Sequence, residues 1–241
     1  MNDLLKQVRA ALALAAEPER APRMQAYMKS ALPYHGVSSA PLKKLARTLL
    51  AAHPVETART WRADVLALWR GARFREERYV AIALAADRRA AAFRTPDALA
   101  MYEEMIVSGA WWDYVDDLAV HHIGPMLGSH PAPLAKAMRA WSLSDDMWKR
   151  RTSIICQVAL KDAIDLKLLY DCIEPSLASK EFFLRKAVGW ALRAHAWRDP
   201  DEIVRYVAAR GDRLSGLSRR EALINVEGRR KPTAGRPRPA G

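Results

Sequence analysis

Apolar residues recur at three- and four-residue spacing along almost the whole chain, and strand-like alternation is nearly absent. The spacing predicts helices over about 3–16, 21–31, 41–51, 57–70, 74–88, 95–107, 110–122, 131–140, 145–159, 165–177, 180–195, 199–209 and 218–226. Pro22, Pro33, Gly36, Pro41, Pro54, Pro96, Gly109, Gly124-Pro125, Pro131, Pro175 and Pro200 punctuate them. Connections of a few residues make neighbouring helices antiparallel. The predicted fold class is all-α.

The helices repeat. Ser144–Arg151 (SDDMWKRR) and Ser179–Lys186 (SKEFFLRK) both open on a serine, continue through acidic residues to aromatics, and end on a basic pair, 35 positions apart. Each serine is expected to be an N-cap. Ser108, a further 36 positions upstream, is expected to open the segment containing Trp111 and Trp112, and Arg75–Leu84 has the same look one cycle earlier. A period near 35–40 residues with two helices per unit predicts an α-solenoid of HEAT-like repeats, whose corresponding helices line one concave surface. That surface would carry Trp112 and Asp116, then Trp148 and Arg151, then Arg185, Lys186, Trp190 and Arg193. Recurrent Arg and Lys make it a basic groove suited to a phosphate backbone. Trp61, Trp69, Trp111 and Trp141 are assigned to the core.

Ser108–Leu118 (SGAWWDYVDDL) is the most unusual stretch. Adjacent tryptophans point to different faces of a helix. Trp111, Val115 and Leu118 form an apolar stripe, while Trp112 and Asp116 share another face. A carboxylate stacked beside an indole is costly in a core unless an arginine meets it.

Charge adds to this picture. The 241 residues carry a formal net charge of +12, of which Arg229, Arg230, Lys231, Arg236 and Arg238 contribute five, leaving +7. A basic domain favours a polyanionic partner. The predicted organisation is a domain over 1–228 followed by a basic, disordered tail over 229–241, rich in Arg, Pro and Gly. Cys156 and Cys172 have no metal-ligand spacing and read as reduced core residues of an intracellular protein. Lys6 and Arg9 before Ala10–Ala16 faintly suggest a signal peptide. However, Leu4, Leu5, Val8, Ala11, Leu12 and Ala15 share a helical face, so an opening amphipathic helix and a cytoplasmic protein are expected. No apolar run reaches the roughly 18 residues of a membrane span. There is no glycine-rich phosphate loop or Cys/His cluster, and His121-His122 reads as a helix pair rather than a metal site.

The chain resembles the AlkD-type DNA alkylation repair proteins, which are HEAT-like-repeat DNA glycosylases. The likeness runs from about Met24 to Arg220 and rests on Met28–Val37 (MKSALPYHGV), Ala110–Asp116 (AWWDYVD), Trp148–Arg151 (WKRR), Ser179–Phe183 (SKEFF), Lys186–Trp190 (KAVGW) and Leu217–Ala222 (LSRREA). The resemblance implies excision of N3- or N7-alkylated purines from duplex DNA by a monomer, without metal or cofactor. It places the catalytic set on Asp116, Trp112 and Trp190, with Arg151 on a phosphate near the lesion. Trp148, Arg185, Lys186, Arg193 and Tyr27 are assigned to substrate binding. In this reading the base is already cationic, so the barrier belongs to positive charge developing on the deoxyribose. Asp116 would stabilise that charge and position water. Trp112 and Trp190 would hold the sugar and backbone, with cation–π attraction of about 0.5–2 kcal/mol each. Members of the family are thought to work from the backbone side rather than by flipping the base into a closed pocket. A non-catalytic binder of damaged or branched DNA and a protein-interaction scaffold are the competing expectations.

Overall fold

A computed structural model describes residues 3–230, and these residues contain helices and no strands. In chain order they are α1 (Asp3–Leu14), α2 (Ala21–Met28), α3 (Ser39–Ala52), α4 (Ala58–Gly71), α5 (Arg75–Ala85), α6 (Leu99–Gly109), α7 (Trp112–Asp117), α8 (Gly124–Ser129), α9 (Pro131–Ser142), α10 (Met147–Ile155), α11 (Leu166–Ile173), α12 (Phe182–Ala196), α13 (Pro200–Arg210) and α14 (Gly216–Arg230). The expected tail lies, from residue 231 onward, outside the described residues. The fold is all-α, as the apolar periodicity predicts. The repeat spacing is kept: α5, α7, α10 and α12 begin 37, 35 and 35 positions apart.

The chain falls into two compact units, Met1–Met126 and Leu127–Gly241. In the first, Leu4, Leu5, Val8 and Leu12 form the buried face of α1. The opening segment is therefore an amphipathic helix. Its Arg9 reaches α5, where Glu77 is fully buried. Trp61 and Trp69 are both 1 % exposed and sit in this core, as expected. A loop before α3 turns at Gly36, whose φ is +88° and whose Cβ position lies 2.1 Å from the Glu17 carbonyl oxygen. Only glycine fits there. The backbone amides of His35, Gly36 and Val37 donate to the carboxylate of Glu76 at 3.1, 2.9 and 3.2 Å. Glu76 itself is wholly buried. One charged side chain thus satisfies three amides that this loop leaves without backbone partners.

In the second unit, α9 to α14 bury Trp141, Ile154, Ile155, Leu168, Leu184, Leu192 and Ile203. Cys156 and Cys172 are free and buried, and burial pushes both thiols up. Helix α14 lies against α12 at Gly189, where a Cβ would come 2.4 Å from Cβ of Glu221 and 3.0 Å from the Ser218 carbonyl oxygen.

Four expectations are corrected. Gly124-Pro125 does not end a helix. A π-turn over Leu118–Ile123 precedes it, with the Gly124 amide bonding back to Ala119, and α8 continues beyond. The wider turn relieves the clash between the Pro125 ring and the preceding carbonyls. Ser108 belongs to α6, where its Oγ donates to the Glu104 carbonyl at 2.6 Å and accepts from Trp69 Nε1 at 2.8 Å. The break comes later, at Ala110, whose φ is +43°. Trp111 is then an extended N-cap residue, so the apolar stripe of α7 begins at Val115. Ser144 and Ser179 are also two positions early as caps. Each accepts from the amide two residues on, at Asp146 and Glu181, both at 3.2 Å. It is the Asp146 carboxylate that caps α10, through the amides of Trp148 and Lys149 at 2.9 and 2.8 Å.

Candidate nucleic-acid interface

Helix α7 carries Trp112 and Asp116 one turn apart, and both are half-buried. Its position in the first unit is fixed by the neighbouring carboxylate, Asp113. Tyr79 Oη donates to Asp113 Oδ2 at 2.6 Å, Arg75 bonds Asp113 Oδ1, and Arg75 Nε donates to Tyr79 Oη at 3.1 Å. The Arg75 guanidinium also lies over the Tyr114 ring, 4.1 Å from its centroid. Asp113 is thus a largely buried carboxylate that meets an arginine. Burial raises the Asp113 carboxyl, while Tyr79 and Arg75 oppose that shift. Burial also lifts the Tyr79 hydroxyl, with the Asp113 charge adding to it.

Trp112 forms part of the wall of a cavity of about 560 Å³ within this unit. The lining includes Tyr27 and Met28 from α2, Tyr34, Leu42 and Lys43 from the α3 side, Tyr79 from α5, and Asp113 and Asp117 from α7. Its size is that of a small-ligand pocket. Two residues assigned from sequence, Trp112 and Tyr27, thus line the same cavity, and Tyr27 is 75 % exposed. Asp116 is not part of the cavity wall. His122, in the π-turn, is buried between Tyr102, whose hydroxyl is 3.4 Å from Nδ1, and Asp117, whose Oδ1 is 3.6 Å from Nε2. His121 is exposed.

In the second unit, α10 places Trp148 and Arg151 on one turn. Trp148 is buried and its ring centroid lies 5.1 Å from that of Phe183. Arg151 is also buried, and its Nη1 donates to the Phe183 carbonyl at 2.6 Å. These contacts join the WKRR and SKEFF motifs. On α12, Arg185 Nε donates to the Ser179 carbonyl at 3.0 Å. Lys186 Nζ and Arg193 Nη1 converge on the two oxygens of Glu221 at 2.7 and 2.8 Å. Trp190 is half-buried on the same face, between Lys186 and Arg193.

A family model described as DNA alkylation repair enzyme matches residues 8–226. The chain belongs to that family. Among solved structures it is similar to a predicted DNA alkylation repair enzyme from Enterococcus faecalis, at 27 % identity and a TM-score of 0.78. The match covers 86 % of this chain and 95 % of that one. No curated protein matches it significantly.

The structure of this DNA alkylation repair family member contains functional groups that the sequence reading passes over. Arg75, Glu76 and Glu77 look like a solvated charge run in a helical first turn, yet all three are buried. Asp113 and Glu221 lie inside motifs that carry the resemblance without a role of their own. Their signal is a carboxylate within reach of recurrent cations, visible only once the helices are placed.

Glu221 also predicts a pH dependence. Its bond from Lys186 is the largest influence holding the carboxyl below its ordinary value of 4.5. A depressed folded value makes the cluster's contribution to stability complete above about pH 4.5. That contribution is lost as pH falls through the folded value. Denaturant unfolding should therefore show a gap between wild type and Glu221→Gln that is constant above about pH 5 and closes in acid. A gap that widens in acid would contradict the assignment.

Proposed function

We propose that the chain is a DNA glycosylase that hydrolyses the N-glycosidic bond of N3- or N7-alkylated purines in duplex DNA. The observation that carries this reading is a carboxylate and an indole one turn apart on α7, in a chain whose family is DNA alkylation repair. In the reaction the C1′–N9 bond breaks and its electron pair passes to the base, neutralising the alkyl-derived charge. Water then adds to C1′ and gives up a proton, leaving a free base and an abasic site.

Because the leaving base is cationic, no strong acid is needed to expel it. The work lies in stabilising charge that develops on the sugar, which is the role of Asp116. Trp112 and Trp190 are the indoles assigned to the sugar and its developing charge. Arg151, Arg185, Lys186, Arg193, Trp148 and Tyr27 serve the DNA backbone. Duplex DNA carrying the lesion is the partner, and the enzyme acts as a monomer.

Charge on the lesion supplies the test. Duplexes carrying 7-methylguanine should lose the base, whereas duplexes carrying a neutral adduct of similar size should lose it at least about 100-fold more slowly. Equal rates on both would contradict this mechanism, because the leaving group's charge would then contribute nothing.

A further inference from the structure

The Glu221 cluster raises a question that DNA binding alone does not answer. Lys186 and Arg193 are two of the cations assigned to the phosphate backbone, yet one carboxylate holds both. A carboxylate among groups meant for phosphates lowers affinity, since it cancels charge that would otherwise displace counterions. Nor is its carboxylate the sole tie between the helices: the Ser218 backbone of α14 packs at Gly189 of α12, and Ser218 Oγ donates to the Arg185 carbonyl at 2.9 Å. The register of that packing sets Glu221 directly over Gly189, midway between Lys186 and Arg193. A side chain at 189 would displace it. Both cations keep solvent access, with side chains 38 % and 32 % exposed, while Glu221 is 15 % exposed.

We propose that Glu221 is a positioning residue that holds Lys186 and Arg193 extended on either side of Trp190, so that the backbone of the lesion nucleotide is received in one register. This rests on the glycosylase reading above. Long cationic side chains lose rotamer freedom when they grip a phosphate. Here part of that freedom is already removed in the free protein. The cost is weaker overall attraction, and the gain is placement, which governs rate because small misplacements of a reacting group slow chemistry steeply.

Two variants separate charge from geometry. Glu221→Gln keeps the shape and removes the charge, and should bind undamaged duplex about threefold or more tightly at low salt. It should also release 7-methylguanine about tenfold or more slowly in single turnover. Glu221→Asp keeps the charge but falls one methylene short, and should slow release with affinity near that of wild type. In the free protein, NMR relaxation of the Arg193 Nε–H should report greater mobility in both. Wild-type release rates in both variants would overturn the proposal, as would affinity, rate and melting temperature falling together. Unchanged order at Arg193 would overturn it independently of catalysis. A wild type with an ordered Arg193 that releases no base would count against the glycosylase reading alone.

Discussion

Asp116→Asn is expected to abolish base release while leaving duplex binding within a few-fold of wild type. The substitution preserves size and hydrogen-bonding reach on a half-buried position of α7, so the fold is retained. What it removes is the negative charge that the proposed mechanism sets against the sugar as the glycosidic bond stretches. Loss of one such electrostatic stabiliser costs about 10²- to 10³-fold in rate, or roughly 3–4 kcal/mol of barrier. Single-turnover release from methylated duplex, paired with an affinity measurement, checks both halves. Parallel loss of binding and activity would remove Asp116 from the chemistry. Asp113→Asn is the control: it disturbs the Arg75–Tyr79 network and should lower the melting temperature.

Glu76→Ala is expected to destabilise the first unit strongly. The lost carboxylate leaves the buried amides of Gly36 and Val37, together with that of His35, without their acceptor. Orphaned buried groups of this kind cost about 1–3 kcal/mol each, and relaxation of the loop recovers part of the sum. A loss of about 3–5 kcal/mol is expected, read as a drop in the denaturant midpoint. The loop also supplies Tyr34 to the cavity beside Trp112, so activity should fall with stability. A change under about 1 kcal/mol would show that the amides find other partners.

Much of the fold was legible in the sequence because helix periodicity survives without tertiary information. The apolar face of α1 and the starts of α5, α7, α10 and α12 follow directly from spacing. The exceptions have physical causes. Gly124-Pro125 reads as a break, but a π-turn absorbs the missing amide of Pro125 and the chain stays helical. Serine is a good cap, yet at Ser144 the aspartate two positions on fits the α10 terminus better.

Legibility of the candidate site is more uneven. Trp112 and Tyr27 were named from sequence and do line one cavity. The partners that set the surrounding charges were not visible. A run such as Arg75–Glu77 is ordinarily solvated, and only packing turns it into a buried scaffold. Likewise Lys186 and Arg193 read as free cations until α14 brings Glu221 onto them.

The most direct test is chromatographic detection of free base after the full chain is incubated with duplex DNA bearing 7-methylguanine or 3-methyladenine. The account predicts release of the methylated base with an abasic site left in the strand, and none from unmodified duplex. DNA recovered intact after tight, salt-dependent binding would contradict it and make the protein a binder of damaged DNA.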